Sequence, residues 1–248
     1  AQTFNPSSFD ARSLARIVKE AGARYFIITA KHHDGFAMYD TAFSNYKITN
    51  SPIRRDLCRE IADAMRAEGV IMGFYFSIPD WHHPDYYDTV WPVKRKIGRH
   101  HRPESYDRFT RFYTDQIIEL LTNYAPIRIL WFDGAQMPDC EPWLTSDLTD
   151  IIRQYDAACL VNNRGTINAR YDFGSSEGIP QTDQTSREPW EAALSMTDQW
   201  AYKPDAHYTS ATDLICQLVE TAAKGGNFLL NFGIDPAGQI APAVTERL

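Results

Sequence analysis

Apolar positions along the chain follow two patterns, short continuous runs and longer stretches with helical spacing. The runs are rich in β-branched and aromatic residues, which is typical of buried strands. They predict strands at Tyr25–Ala30, Val70–Ile78, Ile127–Phe132, Leu160–Asn162 and Asn227–Phe232. Apolar residues three or four positions apart predict helices at Phe9–Ala21, Arg55–Glu68, Tyr106–Tyr124, Thr145–Asp156 and Ala211–Ala223. Asp10 stands where it can cap the first helix, and Gly69 stands where the second should end.

The alternation of strands and helices indicates parallel βαβ units, whose buried strands read as continuous apolar runs. The length of 248 residues is typical of one large domain. No G-x-G-x-x-G follows a predicted strand, which argues against a dinucleotide-binding doubly wound sheet. We therefore predict an α/β fold, with residues 1–248 forming one (β/α)8-like (TIM-type) barrel domain, complete or lacking a strand.

Composition narrows the classes of partner. Apolar residues make up 44% and charged residues 23% of the chain, as in ordinary soluble enzymes. The net charge of -7 argues against nucleic acid or an anionic membrane, since both require a basic surface. No apolar run approaches the roughly 20 residues that span a bilayer. Residues 1–10 lack the pattern of a signal peptide, and the compartment stays open.

Cysteine and histidine spacing does not indicate a metal site. The four cysteines form no C-x-x-C pair, so buried free thiols are favoured over zinc or a redox dithiol. They are Cys58, Cys140, Cys159 and Cys216. A long loop, Pro79–Pro103, is expected to shape the mouth of a site. Its four histidines, His82, His83, His100 and His101, are expected in solvent. We predict no metal and no organic cofactor.

Polar segments follow three predicted strands directly. They are Lys31–Phe36 (K-H-H-D-G-F), Asp80–Trp81 and Asp133–Gly134. Residues at the carboxyl ends of barrel strands face the catalytic side, so these segments are candidates for chemistry. Asp133 follows an apolar strand, which suits a partly desolvated nucleophile of a glycosidase. A turn or helix cap beside Gly134 explains it equally well.

The adjacent pair His32 and His33 could bind metal, bind sugar hydroxyls or lie in the core. Neighbouring residues that leave a strand face opposite ways, so joint binding of one metal is disfavoured. Hydrogen bonding to hydroxyls by at least one of them is favoured. Six Trp and 13 Tyr supply many rings with polar edges, which often line sugar sites as well as cores.

Together these segments resemble glycoside hydrolase family 29, the α-L-fucosidases. The resemblance rests on K-H-H-D-G-F (31–36), W-F-D-G (131–134) and K-G-G-N-F-L-L-N (224–231), in that order, and covers nearly the whole chain. It implies a retaining fucosidase acting on fucosylated oligosaccharides or glycosides. In that family Asp133 matches the nucleophile, and His32 and His33 match residues that bind fucose hydroxyls. Trp131 matches a sugar-contacting aromatic, Arg164 a substrate-binding arginine and Trp200 the aromatic on the fucose methyl.

Each of these matches also has a plain structural alternative. Trp131 and Trp200 could be core residues, and Arg164 could form a surface ion pair. For the acid/base, the resemblance favours Glu177 on a loop rich in Gly and Ser, and then Glu188. Glu191 is expected to be a buried hydrogen-bonding acid.

The sequence also departs from the family pattern. Members of the family usually begin with a strand bearing a further sugar-binding histidine, and they end in a β-sandwich domain. We therefore expect at most seven strands, and exposed sheet edges that favour pairing with another segment or a second copy. A non-catalytic sugar-binding descendant is the alternative function, and a glycosidase of another specificity is a third.

Overall fold

The structure is a computed structural model that describes residues 3–86, 103–134, 148–165, 170–179 and 188–248. The described strands are β1 (Tyr25–Lys31), β2 (Ile71–Ser77), β3 (Ile129–Asp133), β4 (Leu160–Val161), β5 (Gly174–Glu177), β6 (Trp190–Ser195) and β7 (Asn227–Asn231). The described α-helices are α1 (Ala11–Glu20), α2 (Leu57–Ala67), α3 (Pro103–Asn123), α4 (Leu148–Tyr155), α5 (Ala211–Ala223) and α6 (Pro242–Thr245). None of these helices combines the length and the apolar character needed to cross a membrane.

The strands form one parallel arc in chain order. A four-stranded sheet runs β1-β2-β3-β4 and a three-stranded sheet runs β5-β6-β7. A parallel bridge between Asn162 and Phe173 joins the two sheets. The arc is curved, since the side chains of Tyr25 in β1 and Glu191 in β6 meet across its inner side, where Tyr25 Oη donates to Glu191. The parallel strands and the helices between them confirm the predicted class, an α/β fold of the (β/α)8-like barrel type, and among the described residues no pairing joins β7 to β1.

Helices α1 and α2 cover the outer face of the first strands. Helix α1 buries Leu14, Ala15 and Val18, and the side chain of Asp10 accepts a hydrogen bond from the backbone N–H of Arg12, as predicted. Gly69 follows α2 with a φ of 72°, a left-handed conformation that suits glycine. The end of α1 is followed by β1 and the end of α2 by β2, so the helix ends determine where these two strands begin.

Two strands were missed by the sequence prediction. The segment of β5, GSSE, has no apolar run, and β6, WEAALS, places a glutamate on the inner face. Both segments become strands because they pair with neighbours, Gly174 opposite Trp190 and Glu191 opposite Asn227. The expectation that Glu177 lies on a loop is wrong, since it is the last residue of β5.

The predictions that the cysteines are buried and that the loop histidines lie in solvent are correct only in part. Cys58 and Cys159 are buried, as predicted, whereas Cys216 is exposed on α5. His82 is exposed, but His83 is half-buried and packs against Phe112 with ring centroids 4.3 Å apart. The remaining residues of those two predictions, Cys140, His100 and His101, lie outside the described residues.

Candidate active site

The proposed nucleophile is the last residue of β3. Asp133 pairs in register with Ser77, the last residue of β2, so both lie at the carboxyl edge of the sheet. The chain turns at Gly134 with a φ of 89°, and a Cβ there would lie 2.5 Å from the ring of Pro79. Only glycine fits both conditions, and this accounts for the Asp-Gly pair at the end of the strand.

Three side chains approach the Asp133 carboxylate. Tyr75 Oη donates to Oδ2 at 2.9 Å, and His33 Nε2 lies 3.6 Å from the same oxygen. Arg164 donates to Oδ1 through Nε at 3.1 Å and Nη2 at 2.6 Å. The carboxylate is 18% exposed, so one face remains open to a ligand.

These contacts determine the charge of the site. Burial alone would raise the pKa of Asp133, but the contacts with His33, Arg164 and Tyr75 together hold the pKa well below its usual range. Burial and the charge of Asp133 raise the pKa of Tyr75, so its hydroxyl stays a neutral donor. Asp133 is therefore an ionised carboxylate, and the hydrogen bonds to both of its oxygens set its orientation.

Arg164 also joins the nucleophile candidate to the acid/base candidate. Its Nη2 lies 2.6 Å from Asp133 Oδ1 and 2.7 Å from Glu177 Oε1. The two oxygens are thus at most about 5.3 Å apart, the sum of those distances. The Glu177 side chain is 51% exposed, in contrast to the enclosed Asp133.

Strand register separates the acid/base candidates. Glu177 ends β5 opposite Ala193, close to the carboxyl edge. Glu188 lies before Trp190, the first residue of β6. Trp190 is itself three residues before Ala193, so Glu188 is at least about 10 Å from Ala193 along the strand direction. Glu188 therefore lies at the amino edge of the sheet, away from Asp133.

The two histidines after β1 do not face opposite ways, because their ring centroids lie 4.4 Å apart on the same side of the sheet edge. His33 is buried beside Asp133, whereas His32 is exposed and stacks on Tyr75 with centroids 5.5 Å apart. Partial desolvation of its ring, together with the nearby His33, lowers the pKa of His32. No group of three or more His, Cys, Asp or Glu suited to a metal ion occurs in the part of the chain that the structure describes.

A buried ion pair lies next to the histidine segment and joins it to the segment after β2. Lys31 Nζ lies 3.1 Å from Asp80 Oδ2 and 3.3 Å from Gln116 Oε1, with no exposed surface. Asp80 in turn accepts the backbone N–H of His82 at 3.0 Å. The next backbone contact, from Trp81 N–H to the carbonyl of His33 at 2.7 Å, fixes the two segments to each other.

The two tryptophans of the prediction lie in different environments. Trp131 is buried, with Arg164 5.2 Å from its ring centroid and its Nε1 donating to Glu191 at 2.7 Å. Glu191 is 3% exposed and is confirmed as a buried hydrogen-bonding acid. Trp200 is 50% exposed on the segment after β6, so it is not a core residue. Its carbonyl accepts from Asn231 Nδ2 at 2.8 Å, which ties it to the end of β7.

The structure thus brings Asp133, His33, Arg164 and Glu177 together. It adds Tyr75, which the sequence analysis did not single out. The signal was present, because Tyr75 and Ser77 alternate with Phe74 and Phe76 along β2, and a period of two places the polar pair on the inner face.

Comparison with known proteins gives the same family over the whole chain. A family model described as alpha-L-fucosidase matches residues 1–248. The tissue α-L-fucosidase of Bos taurus is 30% identical over 267 aligned residues, covering 100% of this chain and 52% of the bovine protein. A putative α-L-fucosidase of Caenorhabditis elegans is 28% identical, with 100% and 51% covered. The chain spans about half the length of the curated relatives it matches.

Solved structures agree with this match. The α-L-fucosidase isoenzyme 1 of Paenibacillus thiaminolyticus is 36% identical, with a TM-score of 0.90 over 99% of this chain and 63% of that chain. A family 29 α-L-fucosidase of Bacteroides thetaiotaomicron, trapped as a covalent intermediate with 2-fluoro-fucosyl fluoride, is 28% identical. Its TM-score is 0.86, with 98% and 60% of the two chains covered.

Proposed function

Because this chain belongs to the α-L-fucosidase family, glycoside hydrolase family 29, we propose that residues 1–248 form the catalytic domain of a retaining α-L-fucosidase. The substrate would be a terminal α-L-fucosyl residue on an oligosaccharide or glycoside. In this proposal Asp133 is the nucleophile and Glu177 is the acid/base.

The observation that carries the proposal is the bridge through Arg164. Retaining glycosidases hold their two carboxyl groups about 5–5.5 Å apart, whereas inverting enzymes leave room for a water between more distant carboxyls. The limit of about 5.3 Å between the Asp133 and Glu177 oxygens supports the retaining geometry. The trapped covalent intermediate of the Bacteroides relative supports the same chemistry.

Each step then has a residue to perform it. Asp133 attacks the anomeric carbon and forms an ester as the glycosidic bond breaks, while Glu177 gives its proton to the leaving oxygen. Glu177 next takes a proton from water, and the hydroxide displaces Asp133 as a carboxylate. Two inversions return the sugar to its starting configuration.

The other predicted residues take supporting roles in the proposal. His33 has its Nε2 beside Asp133, where it can donate to a hydroxyl next to the anomeric carbon. His32, which is exposed and stacks on Tyr75, would contact the same sugar. Trp131 would lie beneath the sugar, and Trp200 would cover the fucose methyl group from the segment after β6.

Hydrolysis of an aryl α-L-fucoside tests the proposal. We expect the protein to release the aryl alcohol and, by NMR, α-L-fucose as the first product anomer. Asp133→Ala and Glu177→Gln should both lose most of the rate, with Glu188→Gln as the matched control at the opposite edge of the sheet.

Three results would contradict the proposal. They are β-L-fucose as the first product, an Asp133→Ala variant as active as the parent, or binding of L-fucose without hydrolysis. The last of these would favour a binding protein over an enzyme.

A further inference from the structure

A buried carboxylate lies beneath the candidate site, and the proposed mechanism does not use it. Glu191 projects from β6 into the barrel. Its Oε2 accepts from Tyr25 Oη of β1 at 2.5 Å, and its Oε1 accepts from Trp131 Nε1 of β3 at 2.7 Å. One side chain thus connects three strands from both sheets.

Stability alone does not account for this arrangement. Among the described residues no Lys or Arg pairs with Glu191, and burial raises its pKa against the effects of Tyr25, Trp131 and Ser175. Replacing a buried charged group by well-packed apolar groups of similar volume is often neutral or stabilising. What Glu191 does besides this depends on the residues that it contacts, above all Trp131.

Trp131 connects this carboxylate to the nucleophile. Its ring stacks on Tyr75 with centroids 5.4 Å apart, and it lies 5.2 Å from the Arg164 guanidinium. Tyr75 and Arg164 are the donors to the two oxygens of Asp133. Both donors therefore rest on one indole ring, and the single polar atom of that ring is held by Glu191.

We propose that Glu191 is a positioning residue, which fixes the indole of Trp131 so that Tyr75 and Arg164 hold Asp133 in its reactive orientation. The proposal rests on the fucosidase function proposed above. Without this acceptor the Trp131 N–H is buried unpaired, or the ring turns towards another partner. Either change displaces the supports of Asp133, and displacements of about 1 Å can reduce rates on the order of a hundredfold.

A double-mutant cycle on hydrolysis of an aryl α-L-fucoside tests this inference. Glu191→Leu and Trp131→Phe should each lower kcat on the order of tenfold to a hundredfold, with a smaller change in KM. The double variant should be no worse than Trp131→Phe alone, because both changes break the same contact. Glu191→Gln should retain most of the activity, since its amide oxygen can still accept from Trp131.

Tyr25→Phe is the matched control. It removes the other donor to Glu191, so it should lower the melting temperature while kcat stays near the parental value. If Glu191→Leu does not fold, Glu191→Met takes its place in the cycle, since it also lacks an oxygen that can accept from Trp131. Its effect on kcat must again disappear when Trp131→Phe is already present.

The outcomes separate the two proposals. If the parent is active but the two losses of kcat multiply in the double variant, the role of Glu191 is overturned while the proposed function stands. The same holds if Tyr25→Phe loses as much kcat as Trp131→Phe. A parent that hydrolyses no fucoside overturns the proposed function and with it the basis of this inference.

Discussion

Replacing Arg164 by methionine should raise the pKa of Asp133 and shift the acidic limb of the pH–rate profile upwards. Arg164 donates to Asp133 through two nitrogens, at 3.1 and 2.6 Å, and is 14% exposed. The methionine removes both hydrogen bonds and the positive charge while keeping an unbranched side chain. Tyr75 and His33 remain in contact with the carboxylate.

The size of the shift follows from these contacts. An arginine at this distance lowers the pKa of an aspartate by about one to three units, each worth about 1.4 kcal/mol. Only ionised Asp133 can attack, so activity is present above its pKa and is lost as the pH falls through it. In the parent that loss falls well below the usual aspartate range. In the variant it should begin about one to three units higher.

The assay is kcat/KM for an aryl α-L-fucoside against pH, which reports groups of the free enzyme. Arg164→Lys keeps the positive charge but cannot donate through two nitrogens as arginine does, so the acidic limb of its pH profile should shift less than that of Arg164→Met. Arg128→Met is the control, because Arg128 pairs with Asp156 at the amino end of β3. If Arg164→Met remains measurably active and its acidic limb coincides with that of the parent, the role of Arg164 is wrong.

Three further predictions concern stability. Gly134→Ala should destabilise the fold by more than Gly22→Ala, measured by urea unfolding. Both positions have a positive φ, which costs about 1–3 kcal/mol, but only at Gly134 would the new Cβ meet a proline ring. Lys31→Met should cost about 3–5 kcal/mol by leaving Asp80 buried and unpaired, and adding Asp80→Leu should restore part of it. An equal loss in single and double variants would refute that pairing. Glu191→Gln should gain stability over the parent as the pH rises. A raised pKa means that the folded parent binds more protons, so its stability falls between the unfolded and folded pKa values. A melting-temperature difference that is constant from pH 4 to pH 7 would contradict this.

Much of the fold was predictable because five strands are continuous apolar runs. Strands β5 and β6 were missed because their residues do not carry that signal. The backbone of Gly174 and its neighbours becomes a strand through pairing with β6, and β6 places Glu191 inwards where an apolar residue is expected. Tertiary pairing therefore decided both elements, and no local pattern could have done so.

The candidate site was predictable only in part. Asp133 and His33 follow apolar strands, so their place at the catalytic edge follows from the βα pattern. The bridge of Arg164 to Glu177 depends on how β4 and β5 lie side by side, which the sequence does not express. The choice between Glu177 and Glu188 likewise required the register of β6.

The most direct test of the central claim is to trap the fucosyl-enzyme. The protein is incubated with 2-fluoro-fucosyl fluoride, digested, and mapped by mass spectrometry, with Asp133→Ala alongside. We predict one fluorofucosyl ester, on Asp133, and none in the variant. A label on another residue, or no label while the protein still hydrolyses aryl α-L-fucosides, would contradict Asp133 as the nucleophile.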